Sequence, residues 1–248
     1  MGFSFIQISD THIFSDNRNV YNTSPLASLE YAVDDIKSKF PAIDFIIHTG
    51  DISGLKGEQE DYLVFNEVIS KFKTPIQYLP GNHDPDPDVF KKRLSNTIIS
   101  SKNSYWEFTK DEILFVGLDS STDKIDTDQL IWLQNILEKN KSRRTLLFLH
   151  HHVLPVGAHW IDVQILKNNL ELLNLIDRYD NIGYIVHGHL HMEKEILFRN
   201  KVYLSVPSLC FQSSDKFQTF SLDDSKPGYR VFEIQGDVIK TQVRRLSV

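Results

Sequence analysis

The sequence predicts an α/β fold in which two stacked sheets are flanked by helices, and three observations carry that prediction. The first half alternates apolar strand-like runs with helix-periodic segments in a βαβαβ order, which implies parallel strands with helices packed outside them. The second half continues the alternation and then, past a His-rich loop, turns to short strands alone. The length of 248 residues, 41% hydrophobic and 24% charged, suits a single α/β domain over residues 1–248 with a sizeable core.

Phe3 to Ile8 reads as the first strand. Ser24-Pro25 reads as an N-cap followed by Pro at the first helical position. Leu26, Leu29, Val33, Ile36 and Phe40 then recur at steps of three and four, a core-facing stripe that Pro41 ends. Asp44 to His48 is the second strand, Tyr62 to Phe72 marks the second helix, and Pro75 to Leu79 is the third strand. Strands follow at Tyr105–Phe108 and Ile113–Leu118, then a helix with Leu130, Leu133 and Leu137 on one face. Thr145 to Leu149 is a buried-type strand, Leu166 to Asp177 a helix, and Ile182 to Val186 another strand. Lys194–Phe198, Val202–Val206, Arg230–Ile234 and Val238–Arg244 complete the pattern, with no repeat, low-complexity tract or linker.

Composition narrows the function classes. A formal net charge of −6 argues against a nucleic-acid partner, but not against a small phosphate substrate whose charge bound cations can neutralise. Cys210 is the only cysteine, so a disulfide framework and thiolate metal sites are excluded. The N-terminus lacks a secretory pattern, Ile6 breaks the myristoylation pattern, and no apolar run reaches transmembrane length. A cytoplasmic protein without a membrane partner is expected.

The chemistry lies in loops at predicted strand ends. Ser9-Asp10-Thr11-His12 follows the first strand, Thr49-Gly50-Asp51 the second, and Gly81-Asn82-His83-Asp84 the third. His150-His151-His152 and His187-Gly188-His189-Leu190-His191 follow two later strands. Ligands of open α/β sheets bind outside the carboxyl ends of strands, where all five loops fall. Imidazole nitrogens with carboxylate and amide oxygens suit a pair of divalent cations such as Mn²⁺, Fe²⁺ or Zn²⁺. An extended Asp-x-His or His-x-His segment would put both side chains on one side. A carboxylate in a tight Gly turn, as at Asp51, can bridge two metals. Gly50, Gly81 and Gly188 permit close approaches that a Cβ would obstruct. Each motif alone has an ordinary structural explanation, such as a strand-terminating turn or a satisfied core histidine. All five in this order do not.

Asp-x-His, Gly-Asp, Gly-Asn-His-Asp, a later His and Gly-His-x-His resemble the signature of the calcineurin-like metallophosphoesterases, with every ligand position filled between residues 5 and 191. The resemblance implies a four-layer α/β/β/α sandwich of two mixed sheets. It implies one metal on Asp10, His12 and His191, a second on Asn82, His150 and His189, and Asp51 bridging them. His83 would lie beside the scissile phosphate, oriented by Asp84. The phosphoprotein phosphatases of this superfamily carry Glu after Gly-Asn-His and Asp-Arg-Gly around the second motif. Asp84 and Ile52-Ser53-Gly54 depart from that pattern.

His150 to Gly157 with Trp160 and Asp162, and the tail with Pro207 to Cys210 and Lys226 to Arg230, are similar to the class III cyclic-nucleotide phosphodiesterases. The substrate this implies is a small phosphodiester, 3′,5′-cyclic AMP first and a glycerophosphodiester or broader phosphoester second. In-line attack by a hydroxide bridging two cations about 3.5–4 Å apart is the expected mechanism. A non-catalytic scaffold of the same fold would be expected to lose ligands that this chain keeps. His151, His152, Trp160 and Phe211 are candidate substrate contacts, with Phe217 and His159 beside them; His151 reads alternatively as a support that orients the ligand it adjoins, and His48 and His187 read as supporting residues. The resemblance is also compatible with a homodimer, to which no residue pattern points.

Overall fold

The computed structural model describes residues 2–86, 89, 90, 92, 94 and 103–247. The first run comprises β1 (Gly2–Ile8), α1 (Pro25–Lys39), β2 (Phe45–His48), α2 (Gln59–Ile69) and β3 (Ile76–Tyr78). Next come β4 (Trp106–Lys110), β5 (Ile113–Gly117), α3 (Thr127–Lys139), β6 (Arg144–Leu149), α4 (His159–Asp162), α5 (Asn169–Ile176) and β7 (Ile182–His187). Strands β8 (Lys194–Phe198), β9 (Lys201–Ser205), β10 (Gln212–Ser213), β11 (Leu222–Asp223), β12 (Gly228–Gln235) and β13 (Val238–Arg245) follow.

Local chemistry explains α1. The Ser24 hydroxyl accepts from the Ala27 N–H at 3.3 Å, Pro25 opens the helix, and Lys37 and Lys39 face the negative end of its dipole. The helix expected from Leu166 begins instead at Asn169. The Leu166 N–H is spent on the His152 carbonyl at 3.1 Å, which ties this segment to the His-rich loop.

Strands β1, β2 and β3 run parallel in one sheet, of order β13-β12-β1-β2-β3. The second sheet has the order β4-β5-β6-β7-β9-β8, with β5, β6, β7 and β9 parallel and both edge strands antiparallel. Both sheets are therefore mixed. The period of two along each strand assigns its residues to separate cores. Phe3, Phe5, Phe45 and Ile47 face Phe115, Leu146 and Phe148 between the sheets. Ile6, Ile8 and Ile46 face α1 and α2, while Leu114, Leu147 and Leu149 face the helices on the other side. The result is the α/β/β/α sandwich. Phe5, fully buried, stacks on Phe45 at 5.0 Å and on Phe232 at 4.4 Å. Truncating such a ring typically costs about 3–5 kcal/mol.

Two arginines, Arg230 buried and Arg244 partly exposed, bind the C-terminal strands into this frame. Arg230 on β12 donates to the Ser205 carbonyl on β9 at 3.0 Å, joining the two sheets. Arg244 on β13 pairs with Asp35 of α1, whose carboxylate also accepts from the Tyr229 hydroxyl. Among the described residues no helix is long and apolar enough to cross a membrane.

Candidate metal centre

The five motifs meet where the parallel strands of both sheets end. The loop after β1 reaches the loop after β2 through Asp10 N–H to the Gly50 carbonyl (2.9 Å) and His12 N–H to the Asp51 carbonyl (3.1 Å). The loop after β7 crosses to the first sheet, where the His189 N–H donates to both Asp10 oxygens at 3.2 Å. The His150 Nδ1 lies 2.8 Å from the Thr49 carbonyl. That bond places a proton on Nδ1 and turns Nε2 inward. His191 is oriented the same way, with Nδ1 3.1 Å from the Phe211 carbonyl.

The backbone that makes this possible is not extended. Asp10 (φ 54°), His12 (φ 45°), Asp51 (φ 58°), His189 (φ 66°) and His191 (φ 52°) are all left-handed. The expected extended Asp-x-His and His-x-His geometry is thus corrected: the paired side chains converge through alternate left-handed residues. Such conformations concentrate where surrounding structure over-determines them, typically at functional sites. Two glycines clear the space. Gly50 has φ 102°, and a Cβ there would lie 2.5 Å from His150 Nδ1, while a Cβ at Gly81 would lie 2.1 Å from Asp51 Oδ1.

Two buried donor groups result. Asp10, His12, Asp51 and His191 form one and Asp51, His150 and His189 the other, with the ligand atoms of each group within 4.8 Å of one another. Asp51 belongs to both. Its Oδ2 lies 3.2 Å from His150 Nε2 and 3.7 Å from His12 Nε2. Its Oδ1 accepts from the His83 N–H at 2.9 Å. The Asn82 Oδ1 lies 3.1 Å from His150 Nε2 and so joins the second group. His12 and His191 bring their Nε2 atoms within 3.0 Å of each other, and His189 Nδ1 lies 3.2 Å from His150 Nε2. Imidazole nitrogens crowded around buried carboxylates, with no thiolate among them, are the donor set that a pair of divalent cations fits.

The electrostatics agree. Burial pushes the Asp10 carboxyl up, but the His191 and His150 imidazoles outweigh it and bring it down to about 2. Burial likewise opposes ionisation of Asp51, and His150 beside it holds it well below the usual carboxylate range. Burial lowers His12 to about 3 and takes His189 well below the ordinary imidazole value, so both are neutral, the state in which an imidazole can bind a cation. Burial would lower His150 too, but the Asp51 carboxylate raises it to about 9. Proton and cation compete for its Nε2.

His83 stands apart. Its Nδ1 lies 3.0 Å from the Gly54 carbonyl and its Nε2 4.0 Å from Asp51 Oδ2, and the side chain lines the open cavity. The expectation that Asp84 orients His83 is corrected. Asp84 is buried and accepts from the Ile52, Ser53 and Gly81 N–H groups and the Tyr62 hydroxyl, so it pins the second loop to the third.

Other expectations divide. Trp160 and Phe211 line the cavity of about 310 Å³ above the donors. His151 and His152 do not: both are buried behind it, a correction to their reading as substrate contacts. His151 Nδ1 lies 3.0 Å from the Ser120 hydroxyl, which also accepts the His150 N–H, and its Nε2 faces Asp123 at 3.2 Å. That chain braces the loop carrying His150, in keeping with the supporting reading of His151. His48 is a support as expected, accepting from the Gly50 N–H through Nδ1, while the His187 carbonyl holds Gln7. Tyr21 and Phe220, which also line the cavity, carry no motif signal; their only mark in the sequence is an aromatic ring in a polar run.

With this geometry in view, similarity to known proteins is informative. The calcineurin-like phosphoesterase family profile matches residues 3–193. The chain is 30% identical over 248 residues to the 3′,5′-cyclic adenosine monophosphate phosphodiesterase CpdA of Escherichia coli, covering 98% of this chain and 89% of that protein. It is 29% identical over 212 residues to the probable glycerophosphodiester phosphodiesterase GpdQ of Arcobacter nitrofigilis, covering 82% of this chain and 77% of that one. A dimetal phosphatase from Danio rerio shares the fold with a TM-score of 0.66 at 16% identity, covering 99% of both chains. The chain belongs to the calcineurin-like phosphoesterase family.

Proposed function

We propose that this calcineurin-like phosphoesterase is a two-metal phosphodiesterase acting on a small diester, 3′,5′-cyclic AMP in the first instance. The observation that carries the reading is Asp51, whose carboxylate belongs to both donor groups. One metal would be held by Asp10, His12 and His191 and the other by Asn82, His150 and His189. When bound, two divalent cations (Mn²⁺, Fe²⁺ or Zn²⁺) supply Lewis acidity and an activated water for in-line displacement at phosphorus.

The chain's own residues do the rest. Asp51 keeps the two sites in register. Asp10 and Asp51 leave a pair of divalent cations with a net positive charge, which suits a singly charged diester. His83, anchored through Nδ1 to Gly54, directs Nε2 into the cavity, where in its protonated form it donates to a phosphoryl or leaving oxygen. Trp160 and Phe211 contact the organic part of the substrate. The similarity to CpdA over nearly the whole chain supports the cyclic nucleotide. The similarity to GpdQ supports a glycerophosphodiester as the second reading.

The test is kcat/KM on Mn²⁺-loaded protein for cyclic AMP, a glycerophosphodiester and bis(p-nitrophenyl) phosphate, each with and without chelator. A preference for cyclic AMP that chelation abolishes is expected. Turnover of the other diesters with negligible cyclic AMP hydrolysis would move the assignment to the second reading. Absence of metal-dependent turnover on all three would sink the enzyme reading.

A further inference from the structure

The cavity mouth is aromatic in a way that metal chemistry does not require. Four rings from different segments meet there: Tyr21 from the loop after β1, Trp160 from α4, Phe211 from the segment before β10, and Phe220 from the loop between β10 and β11. Phe211 links them to the donors, its ring 4.3 Å from that of His191 and stacked on His12 at 6.1 Å. Beyond it Tyr21 and Phe220 touch each other at 5.7 Å and a tilt of 39°, while the other three ring pairs stand nearly perpendicular. Tyr21 meets Phe211 at 4.9 Å and 76°, Trp160 meets Phe220 at 5.1 Å and 83°, and Phe211 meets Phe220 at 6.2 Å and 85°. Edge-to-face rings leave flat faces uncovered, and Tyr21 and Phe220 remain 54% and 41% exposed. Isolated surface aromatics need no explanation, but a contiguous wall beside a buried ionic site does.

The backbone at Tyr21 adds an independent observation. Val20 and Thr23 exchange both N–H···O bonds, at 2.8 and 2.9 Å, and the two residues between them are left-handed, Tyr21 at φ 46° and Asn22 at φ 65°. Such a two-residue turn favours Gly, Asn or Asp at both central positions. Asn22 conforms. Tyr21 places a bulky ring where the backbone disfavours one, which marks a position held for what the ring does.

Charge narrows the ligand. No lysine or arginine is among the described residues lining the cavity. Among the described lining residues an anionic group is met at the metal-ligand end and at His83, so the wall suits a neutral moiety, and its flat ring faces suit a planar one.

We propose that the exposed faces of Tyr21 and Phe220, which touch each other, form a stacking platform for the neutral nucleobase of a phosphodiester whose phosphate lies over Asp51, so that these two rings set preference for nucleoside over glycerol diesters. The inference rests on the phosphodiesterase reading and names its substrate class.

The test compares 3′,5′-cyclic AMP with methyl β-ribofuranoside 3′,5′-cyclic phosphate, which keeps the cyclic diester and lacks the base. Base stacking corresponds to about a 5- to 150-fold advantage in kcat/KM for cyclic AMP. Tyr21→Ala and Phe220→Ala should each shrink that ratio several-fold, with the change mainly in KM, because a contact equal in ground and transition states acts through binding. Tyr21→Phe should retain the ratio. Calorimetric titration of the metal-loaded protein with 5′-AMP and ribose 5-phosphate reads the same discrimination without turnover. A wild-type ratio near one, or a ratio unmoved by Tyr21→Ala, would overturn the platform. So would equal loss of both substrates in Tyr21→Ala, which would make the wall a brace for the metal site. If neither substrate is turned over, the phosphodiesterase reading falls, and the platform then stands or falls on whether 5′-AMP outbinds ribose 5-phosphate in wild type and loses that advantage in Tyr21→Ala.

Discussion

The metal cradle and the aromatic mouth are adjacent, share Phe211, and are built on opposite principles. In the cradle Asp10, Asp51, His150, His189 and His191 are buried, and each is held by hydrogen bonds from a neighbouring loop. In the mouth Tyr21 and Phe220 are exposed and meet their neighbours through ring contacts. Buried charges and imidazoles must be paired or satisfied, so nothing in the cradle can move without loss. Apolar ring contacts are non-directional and tolerate displacement. The difference teaches that the cradle is rigid and the mouth adaptable, the division of labour that the proposed chemistry and the proposed base platform require.

The comparison breaks most completely at its shared ligand. Asp51→Ala removes a donor from both groups, so both metals should be lost and activity with them. Metal content measured by mass spectrometry should fall by more than the roughly 100-fold in affinity that losing an outer contact causes. Retention of either metal would show that Asp51 does not bridge. His83→Ala separates the two regions more finely. Turnover should fall by about 10²–10⁴-fold with both metals still bound, as loss of a general acid requires. Loss of metal alongside turnover would make His83 part of the cradle.

A third expectation concerns pH. In the metal-free protein Asp51 holds His150 protonated up to about 9, against an ordinary value of 6.5. A cation must displace that proton, so affinity at the second site should rise by up to about tenfold per pH unit between 6.5 and 9 and then level off. The sign reverses for the chelated protein. Its raised His150 binds a proton that the unfolded chain releases, so this stabilisation is complete below 6.5 and is lost as pH climbs towards 9. Melting temperatures with and without metal should therefore diverge across that window. A smaller effect is expected at the mouth, where Tyr21→Ala should alter KM and leave the pH dependence of metal uptake in place.

Much of the cradle was legible because its signals are local. Ser24-Pro25 caps α1 within four residues, and the apolar stripe of Leu29, Val33 and Ile36 is buried as its spacing implies. Strand ends followed by Gly-Asp, Gly-Asn-His-Asp and Gly-His-x-His located the donors without any knowledge of the sheets. What misled was also local. Asp84 follows His83 in the chain, yet its carboxylate turns to Ile52, Ser53 and Tyr62 because those loops offer it donors. His151 and His152 adjoin a ligand but point into the packing behind it, since neighbours on an irregular loop need not share a face.

By itself, then, the sequence determined the donor types, their order and the parallel strands that deliver them, because each depends on contacts within a few residues. Only the tertiary structure decided that β12 would lie antiparallel beside β1, that five of the donor residues would adopt left-handed backbone, and that one Asp51 oxygen would sit between His12 and His150. It alone brought Tyr21 to Phe220, almost 200 positions along the chain. The physical reason is the same throughout. Left-handed angles and buried charges are unfavourable on their own, and they persist only where distant segments supply the hydrogen bonds and packing that compensate them.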